Sequence, residues 1–315
     1  VARLWQSLIV VFIVTTISFF LIRAAPGDPF SYEGTGISPE IRERWRQQFG
    51  YDRPLIEQYV RYLGSAARGQ FGYSVRWHSS VSTVLAWAVP RTLLLVGVAL
   101  ALSLVIGVII GVLQAVHRDG WFDRLSSGVL LTLYSLPDFW GALMAMLIFA
   151  FWWPILPASG IVDPLTHDYM TPWAATVDRL QHLILPVGSL TLMIMAGITR
   201  FQRAAMLEIL PADYVRTARA NGLPERRVIW RHALRTALTP IITLLGVMFP
   251  ALLGGALFVE KVFQWPGMGF VAASAISTRD YDVVTATVVI GSVMVALGNV
   301  VADLLHAAID PRVRE

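Results

Sequence analysis

Long apolar runs separated by polar, proline- and glycine-containing segments dominate the pattern of this chain. A helix needs about 20 predominantly apolar residues to cross a bilayer. Six runs reach or approach that length: Leu4–Ile22, Thr92–Val116, Val129–Trp153, Leu183–Thr199, Ala237–Val259 and Val283–Leu305. The first run is too long for the apolar part of a signal peptide and lacks a good cleavage site after Arg23, so we expect a retained span. The pattern predicts an all-α membrane protein with six transmembrane helices.

The distribution of basic residues predicts the orientation of these spans. With the N-terminus inside, the inner segments carry thirteen arginines, eight of them between Arg200 and Arg235, and the short outer loops carry three basic residues. Short cytoplasmic loops are enriched in Lys and Arg. The first loop, Arg23–Arg91, exceeds the roughly 60 residues within which this rule applies. Both termini are therefore expected to be cytoplasmic.

The long first loop is expected to fold as an external cap. Ser38-Pro39 predicts a helix start, with Ile41 and Trp45 on one face and Gly50 at its end. Pro54 predicts the start of a second amphipathic helix, whose apolar side carries Leu55, Tyr59, Tyr62 and Leu63. Docking of an external partner and plugging of the chain's own bundle remain equally open.

Small residues and prolines shape the predicted spans. Gly107-x-x-x-Gly111 in the second span and Gly254-Gly255 in the fifth allow close approach of helices. Pro186, Pro240 and Pro250 are expected to interrupt the fourth and fifth spans, either as broken helices along a path or a moving part, or as kinks that only shape the packing.

Composition supports the membrane class. Hydrophobic residues make up 56% of the 315 residues, charged residues make up 15%, and the mean hydropathy is +0.60. A soluble domain averages roughly 25% charged residues. There is no cysteine, and we assign the net charge of +4 to cytoplasmic loops, not to a nucleic-acid partner.

Sequence motifs for several enzyme classes are missing. The chain has no phosphate-binding loop, no His-Glu-x-x-His zinc helix and no Gly-x-Ser-x-Gly nucleophile motif. The six histidines have no metal-ligand spacing, and the predicted spans are nearly free of charge, apart from Asp303 and Glu260 near helix ends. An ion-coupled secondary transporter, the alternative function, normally keeps ionisable residues within its spans. The sequence also shows no set of catalytic groups that an intramembrane enzyme would need. We therefore expect that this chain binds no cofactor or metal and that the energy for transport comes from another protein.

The segment Asp213–Arg235 has a pattern that a plain cytoplasmic loop does not need. Asp213 is a candidate N-cap, Gly222 is expected to end a short helix, and Pro224 is expected to begin another. Val215, Ala218 and Gly222 are predicted to lie on one side of the first short helix. Small side chains at Thr217, Ala218 and Ala220 suit entry into a partner's groove, and four arginines suit acidic rims on that partner: Arg216, Arg219, Arg226 and Arg227.

Ordered motifs along nearly the whole chain carry a family resemblance. They are Pro26–Pro29, Asp52–Leu55 with Gln58 and Tyr59, Ser135–Pro137, Leu156–Gly160, His182–Pro186, Tyr214–Leu223, Arg231–Pro240, Val259–Gly269 and Leu304–Arg312. With these motifs the chain resembles permease subunits of ABC importers of the dipeptide/oligopeptide/nickel family, of the type with a long external loop after the first span. It departs from the broader Glu-Ala-Ala-x-x-x-Gly permease motif, because Arg216-Thr217-Ala218 precedes Gly222 and the glutamate is missing.

The resemblance implies a type I ABC-importer permease fold in the bacterial plasma membrane. It implies a multi-pass subunit, in contact with lipid, that forms half of a translocation path. The implied partners are a second homologous permease, two cytoplasmic ATPases or one fused ATPase that use ATP and Mg²⁺, and an external binding protein or lipoprotein that delivers a peptide or related solute.

The resemblance also implies the functional residues. The coupling contact with an ATPase is expected at Arg216, Thr217, Ala218, Arg219, Ala220, Asn221, Gly222, Leu223 and Pro224. As a hypothesis, an outer gate or binding-protein contact is expected at Glu260, Phe263, Trp265, Gly267 and Gly269, where a structural turn is an equally good reading. The expected division is 1–91 for the first span and external loop, 92–310 for the permease core with the coupling loop 200–236, and 311–315 for a cytoplasmic tail.

Overall fold

Helices make up most of the structure, a computed structural model that describes the backbone of residues 2–24, 40, 41, 43, 44, 47 and 50–309. Side chains are described for the same residues except 2–4, 243, 245–255 and 301–309. The helices are α1 (Ala2–Ala24), α2 (Leu55–Ala66), α3 (Val81–Val116), α4 (Trp121–Ser135), α5 (Asp138–Met146), α6 (Pro172–Ile209), α7 (Asp213–Ala220), α8 (Glu225–Arg227), α9 (Leu234–Ala237), α10 (Thr239–Val262), α11 (Met268–Ser277) and α12 (Tyr281–Ile309). Two π-helical stretches, Leu147–Trp152 and Val228–Ala233, a 3₁₀ turn at His167–Tyr169, and an antiparallel pair of short strands, β1 (Tyr73–Ser74) and β2 (Ser79–Ser80), complete the elements.

The chain forms two units. The first unit comprises Val1–Thr92 and Pro266–Leu297, and the second comprises Leu93–Trp265 and Gly298–Glu315.

Four helical segments in the described part of the chain are long and apolar enough to span a bilayer: Trp5–Ala24, Val81–Val116, Pro172–Ile209 and Tyr281–Val300. The bent pair of α4 and the segment Asp138–Trp152 makes a fifth candidate. At the predicted fifth span, α10 runs for 24 residues, although part of it lies outside the described side chains. All predicted spans except the third thus coincide with one helical segment each. Helices α3 and α6 begin about three turns earlier than their apolar runs, because helical geometry continues through their polar flanks.

The third predicted span is wrong as a single helix. Its two halves meet at Leu136-Pro137 with a bend of 106°. Leu136 has extended backbone angles, φ −81° and ψ 142°, because a proline that follows disfavours the helical conformation of the residue before it. Pro137 then precedes the first residue of α5, where its missing N–H costs no helical hydrogen bond.

The expectation that Pro186, Pro240 and Pro250 interrupt spans is also wrong. Helix α6 continues through Pro186, and α10 continues through Pro250. Pro240 lies in the first turn of α10, where proline is tolerated because the first N–H groups of a helix have no intrahelical acceptor.

The first unit contains part of the predicted cap. Helix α2 begins directly after Pro54, as the sequence predicts. Gly50 adopts φ +72° in a turn, but much of the helix that it was predicted to end lies outside the described residues. Ser38, Pro39 and Trp45 lie outside the described residues. The rings of Tyr59 and Tyr62 each pack 5.4 Å from the ring of Phe19, which attaches α2 to α1. The sequence did not predict the strand pair, in which Ser74 lies opposite Ser79. The Ser74 hydroxyl donates to the Asp280 carboxylate at 2.5 Å and so links β1 to the residue before α12.

The second unit confirms the close helix approach predicted at Gly107 and Gly111. A Cβ atom at Gly111 would lie 2.8 Å from both the Gln202 Cβ and the Thr199 carbonyl oxygen, and one at Gly107 would lie 3.0 Å from Ile198. The absence of side chains at both glycines therefore lets α3 contact α6 directly. Gly254-Gly255, the other predicted close approach, lies outside the described side chains.

Candidate functional site

The short helix α7 lies between the long helix α6 and the segment that leads to α10. It contains eight residues, too few to be stable alone in water, so its packing decides whether it forms. The sequence placed Asp213 at its N-cap, and this is wrong. Ala212 occupies that position with extended backbone angles, and the structure gives no side-chain capping bond there. Asp213 is the first helical residue, where its charge is favourable near the N-terminal end of the helix dipole, and it lies 3.8 Å from Arg216.

The C-terminal end of α7 agrees with the prediction. Gly222 adopts φ +76°, the left-handed region that favours glycine. The Gly222 N–H donates to the Arg219 carbonyl at 2.9 Å, and the Leu223 N–H donates to the Ala218 carbonyl at 3.4 Å. These two bonds form a Schellman motif, which satisfies carbonyls that the end of the helix would leave free. Pro224 is the N-cap of the next helical segment, α8, which begins at Glu225.

One face of α7 is buried within its own chain. Val215 and Ala218 are 0% and 7% exposed, and they belong to an apolar cluster, which we call the loop core. Its other buried members are Val112, Ala115, Met206, Val228, Ile229, Ala233 and Ala237. Burial of a valine side chain is worth roughly 1.5–3 kcal/mol. Val215 therefore anchors α7, with Ala218 packed beside it in the loop core. The Ala218 side chain cannot itself enter a partner's groove, which corrects the expectation for that side chain.

The opposite face of α7 is exposed. Of the nine residues predicted to form the coupling contact, Arg216, Thr217, Arg219, Ala220, Asn221, Gly222 and Pro224 are exposed. Leu223 is half-buried. The structure thus brings these residues into one short turn-and-helix surface, which we call the loop face. Arg226 and Arg227 are exposed on the following helical segment.

Arg219 has a partner within this chain that its sequence pattern did not predict. Its guanidinium donates to the Glu225 carboxylate, with the shortest contact at 2.8 Å, and to the Leu210 carbonyl at 3.2 Å. This bond lowers the pKa of Glu225 and raises that of Arg219. Because the pKa of Glu225 is lowered, the ion pair stabilises the fold above the ordinary pKa near 4.5, and this contribution is lost as the pH falls through the lowered value. Both side chains are more than a third exposed, so the contribution is small.

Buried charges at helix ends were also missed. Arg203 on α6 makes a bidentate pair with Asp123 on α4, at 2.8 and 2.7 Å, and Ser127 and the Asp119 N–H also donate to that carboxylate. At the other end of α6, the Asp178 carboxylate lies 2.6 Å from His167 Nδ1 and 3.1 Å from His182 Nδ1. Asp123, Asp178 and Arg203 lie outside the predicted spans Val129–Trp153 and Leu183–Thr199, because α4 and α6 extend beyond these apolar runs. They therefore do not contradict the prediction that the apolar runs themselves carry almost no charge. Asp303 lies outside the described side chains.

The second predicted site is buried. Glu260, Phe263, Trp265, Gly267 and Gly269 all lie inside the structure. Within the second unit, Phe263 and Trp265 belong to the main apolar core, and the Trp265 N–H donates to the Glu260 carbonyl at 2.8 Å. In the first unit, Gly267 precedes α11 and Gly269 lies within its first turn. These side chains offer no free surface to a binding protein, and the gate hypothesis stays a prediction.

Two family descriptions match the chain over almost its whole length. Residues 103–315 match "Binding-protein-dependent transport system inner membrane component", and residues 1–96 match the N-terminal part of the same class of membrane component.

Curated relatives are similar in length and sequence. The oligopeptide transport system permease protein AppB of Bacillus subtilis is 37% identical, over 99% of this chain and 98% of its own. The dipeptide transport system permease protein DppB of Escherichia coli K12 is 36% identical, over 96% and 94% of the two chains. The oligopeptide permease protein OppB of Haemophilus influenzae is 36% identical, over 99% and 97%.

A solved structure has the same fold. A chain of the MetNI methionine ABC transporter superposes with a TM-score of 0.56 at 18% identity, covering 72% of this chain and 96% of that one. This likeness gives the chain the fold of an ABC-importer membrane subunit. The family descriptions match residues 1–96 and 103–315, and the relatives are above 35% identical along both chains. The protein therefore belongs to the binding-protein-dependent transport system inner membrane components, which are the multi-pass, non-catalytic permeases of ABC importers in the plasma membrane.

Proposed function

We propose that this chain is the permease of an ATP-driven importer of di- or oligopeptides and that the loop face is its contact with a cytoplasmic ATPase. The peptide substrate is supported by relatives named as peptide permeases that match along nearly the whole of both chains. The observation that carries the contact is the two-sided α7, with one face anchored in the loop core and the other face open.

The anchoring of α7 supports its role as a mechanical contact. Met206 on α6 and Val112 on α3 share the loop core with Val215 and Ala218. A displacement of α7 by an ATPase would therefore be passed to two long helices by direct packing. Since this contact holds no catalytic group, we propose that the ATPase subunits bind ATP and Mg²⁺. This chain then supplies only its half of the translocation path and the contact with the ATPase.

The proposed assembly has four kinds of component. This chain pairs with a second homologous permease, with two ATPases or one fused ATPase inside, and with a binding protein or lipoprotein outside. We further propose six spans with both termini cytoplasmic. The exposed aromatics Trp121, at the start of α4, and Trp152, at the end of the bent pair, support membrane interfaces at the two ends of this segment, because tryptophan is enriched at both interfaces. The orientation rests on the distribution of arginines.

Substitutions on the two faces of α7 test the contact. Ala220→Arg adds bulk to the exposed face, and we expect ATP-driven peptide uptake in proteoliposomes to fall at least about tenfold while the melting temperature stays near that of the wild type. Ala218→Arg puts a charge into the loop core, and we expect it to lower the melting temperature instead, because an unpaired buried charge is costly.

Ala220→Ser is the matched control, since it keeps a small side chain at the same exposed position. Its uptake should match the wild type. Normal uptake by Ala220→Arg would show that the loop face does not touch the ATPase.

A further inference from the structure

The first turns of α4 are tied to both long helices that contribute to the loop core. Arg203 on α6 donates to the Asp123 carboxylate from two nitrogens, at 2.8 and 2.7 Å, and Gln114 Nε2 on α3 donates to Ser126 Oγ at 2.8 Å. Asp123 and Gln114 are buried. Two parallel bonds between a guanidinium and a carboxylate fix orientation as well as distance. These two contacts, which we call the α4 tie, therefore resist both separation and rotation of α4 against its neighbours.

The donors of the α4 tie lie beside the loop core. Arg203 precedes Met206 by three positions, and Gln114 directly precedes Ala115. Met206 and Ala115 are buried members of the loop core, to which Val215 of α7 also belongs. Residues three positions apart are neighbours on the surface of a helix. A displacement of α7 is therefore passed, within one helical turn, to the side chains that hold α4.

Apart from this tie, α4 has little attachment to the rest of the second unit. All 15 residues of α4 are described, and Asp123 and Leu130 are the only buried ones among them. Leu130 packs with Met195 and Ala196 of α6 in a small apolar cluster. Asp123 is therefore one of the two main anchors of α4, and removal of its partner would leave an uncompensated buried charge.

The other half of the bent pair is held by different contacts. Ala142 of α5 is a buried member of the main apolar core, together with Ile194 of α6 and Val259 of α10. A Cβ atom at Gly141 would lie 3.0 Å from the Met193 Cε, so α5 also approaches α6 closely. Helix α5 is thus fixed by the main core, whereas α4 is fixed by the α4 tie and the small cluster.

The backbone hydrogen bonds around the bend stay on their own sides of it. The Leu136 N–H donates to the Leu133 carbonyl at 3.3 Å, and the N–H groups of Trp140 and Gly141 donate to the Pro137 carbonyl at 2.9 and 3.2 Å. A hinge needs only a few residues at the ends of elements, where a change in backbone angles is absorbed. Leu136-Pro137 meets that requirement between two helices that are held by different contacts.

We propose that Asp123 and Arg203 are positioning residues that make α4 move together with α3, α6 and α7, and that the bent pair changes its angle at Leu136-Pro137 when α7 is displaced. This proposal rests on the proposed contact between the loop face and the ATPase. It adds the route by which that contact reaches a membrane-spanning segment, since the bent pair is a candidate span.

Pulsed electron paramagnetic resonance on the assembled importer in nanodiscs measures this movement. Spin labels are placed at Leu125→Cys of α4 with either Leu192→Cys of α6 or Leu143→Cys of α5, all exposed positions, in a complex whose other subunits lack reactive cysteine. A hydrolysis-deficient ATPase holds the ATP-bound state. Between the nucleotide-free and ATP-bound states, the α4–α6 distance should change by less than about 2 Å and the α4–α5 distance by more than about 5 Å, as for two bodies joined by a hinge.

Two results would overturn the proposal. One is an α4–α6 distance that changes as much as the α4–α5 distance, because α4 would then not move with α6. The other is a constant α4–α5 distance in an importer that shows ATP-driven peptide uptake, because the bend would then not act as a hinge.

Variants of the α4 tie test the named residues. Arg203→Lys keeps the charge but cannot form the two parallel bonds, so the α4–α6 distance should become nucleotide-dependent and peptide uptake per ATP hydrolysed should fall several-fold. Ser126→Ala removes the acceptor of Gln114 and should change both quantities in the same direction, which provides the test if Arg203→Lys does not assemble. Arg124→Lys makes the same exchange at an exposed neighbour and should match the wild type. A lower melting temperature for Arg203→Lys with unchanged uptake per ATP would contradict the proposal.

The loop-face variant separates this proposal from the proposed function. If Ala220→Arg abolishes uptake but the α4–α5 distance is constant in the wild type, the ATPase contact stands and only the route through α4 fails. If Ala220→Arg takes up peptides normally, the ATPase contact itself fails.

Discussion

Neighbouring residues in α7 and in the turn that follows it have different roles, which depend on how each residue is packed. Ala218 is fixed in the loop core, Arg219 is held by Glu225, and Ala220 is open to solvent. Gly222 has yet another role, because the obstacle to a side chain there is conformational. A Cβ atom would meet nothing within 4 Å, but φ is +76°.

This distinction predicts the effects of two substitutions. Gly222→Val should weaken the end of α7 by at least about 1 kcal/mol, because β-branched residues are strongly disfavoured in the left-handed region. Gly222→Asn should be close to wild type, since asparagine tolerates that region. We expect ATP hydrolysis without matching uptake for the valine variant, measured on the purified complex. Equal coupling ratios for both variants would show that the Schellman turn does not matter for energy transfer.

At the scale of elements, the contact between α3 and α6 depends on glycine. The carbonyl of Thr199 and the Cβ of Gln202 leave no room for a methyl group at Gly111. Gly97 lies in the same helix, and a Cβ there would meet nothing within 4 Å.

These two glycines allow a matched comparison. Gly111→Ala should push the helices apart and lower the melting temperature of the complex by several degrees, because the opposing atoms include backbone that cannot rotate away. Gly97→Ala should leave the melting temperature unchanged or raise it, since alanine is the better helix former. A thermal-shift measurement on both variants decides, and a stable Gly111→Ala protein would contradict the close packing.

At the scale of the whole molecule, the absence of cysteine makes the proposed topology directly testable. Tyr169→Cys lies between α5 and α6, at a position that is 91% exposed, and Ala220→Cys lies on the loop face. A membrane-impermeant maleimide should label the cysteine at position 169 in intact cells. It should label the cysteine at position 220 only after the cells are lysed. The same pattern reversed would overturn the orientation that we propose.

Family membership decides between the two transport mechanisms considered from the sequence. The ion-coupled alternative relied on no positive feature, and the chain belongs to a family of membrane components of binding-protein-dependent systems. The buried carboxylates Asp123 and Asp178 do not revive that alternative, since each is bound by basic partners near a helix end.

The sequence by itself determined the features that depend on neighbours along the chain. Runs of apolar residues predicted where helices lie, and the left-handed Gly222, the start of α2 after Pro54 and the small residues of Gly107-x-x-x-Gly111 followed from local backbone chemistry. Local rules failed for the prolines, where two outcomes were both allowed. Helix α4 ends just before Pro137, whereas α6 continues through Pro186.

Only the tertiary structure decided which distant residues meet. Arg203 and Asp123 are 80 positions apart, and Arg23 and Asp282 are 259 apart, so no periodicity relates them. The same holds for Ala218, whose small side chain suited a partner's groove as well as the loop core. The reason is physical: helix formation responds to local dihedral preferences and hydropathy, whereas pairing of charges and burial of one face depend on helices brought together by the whole fold.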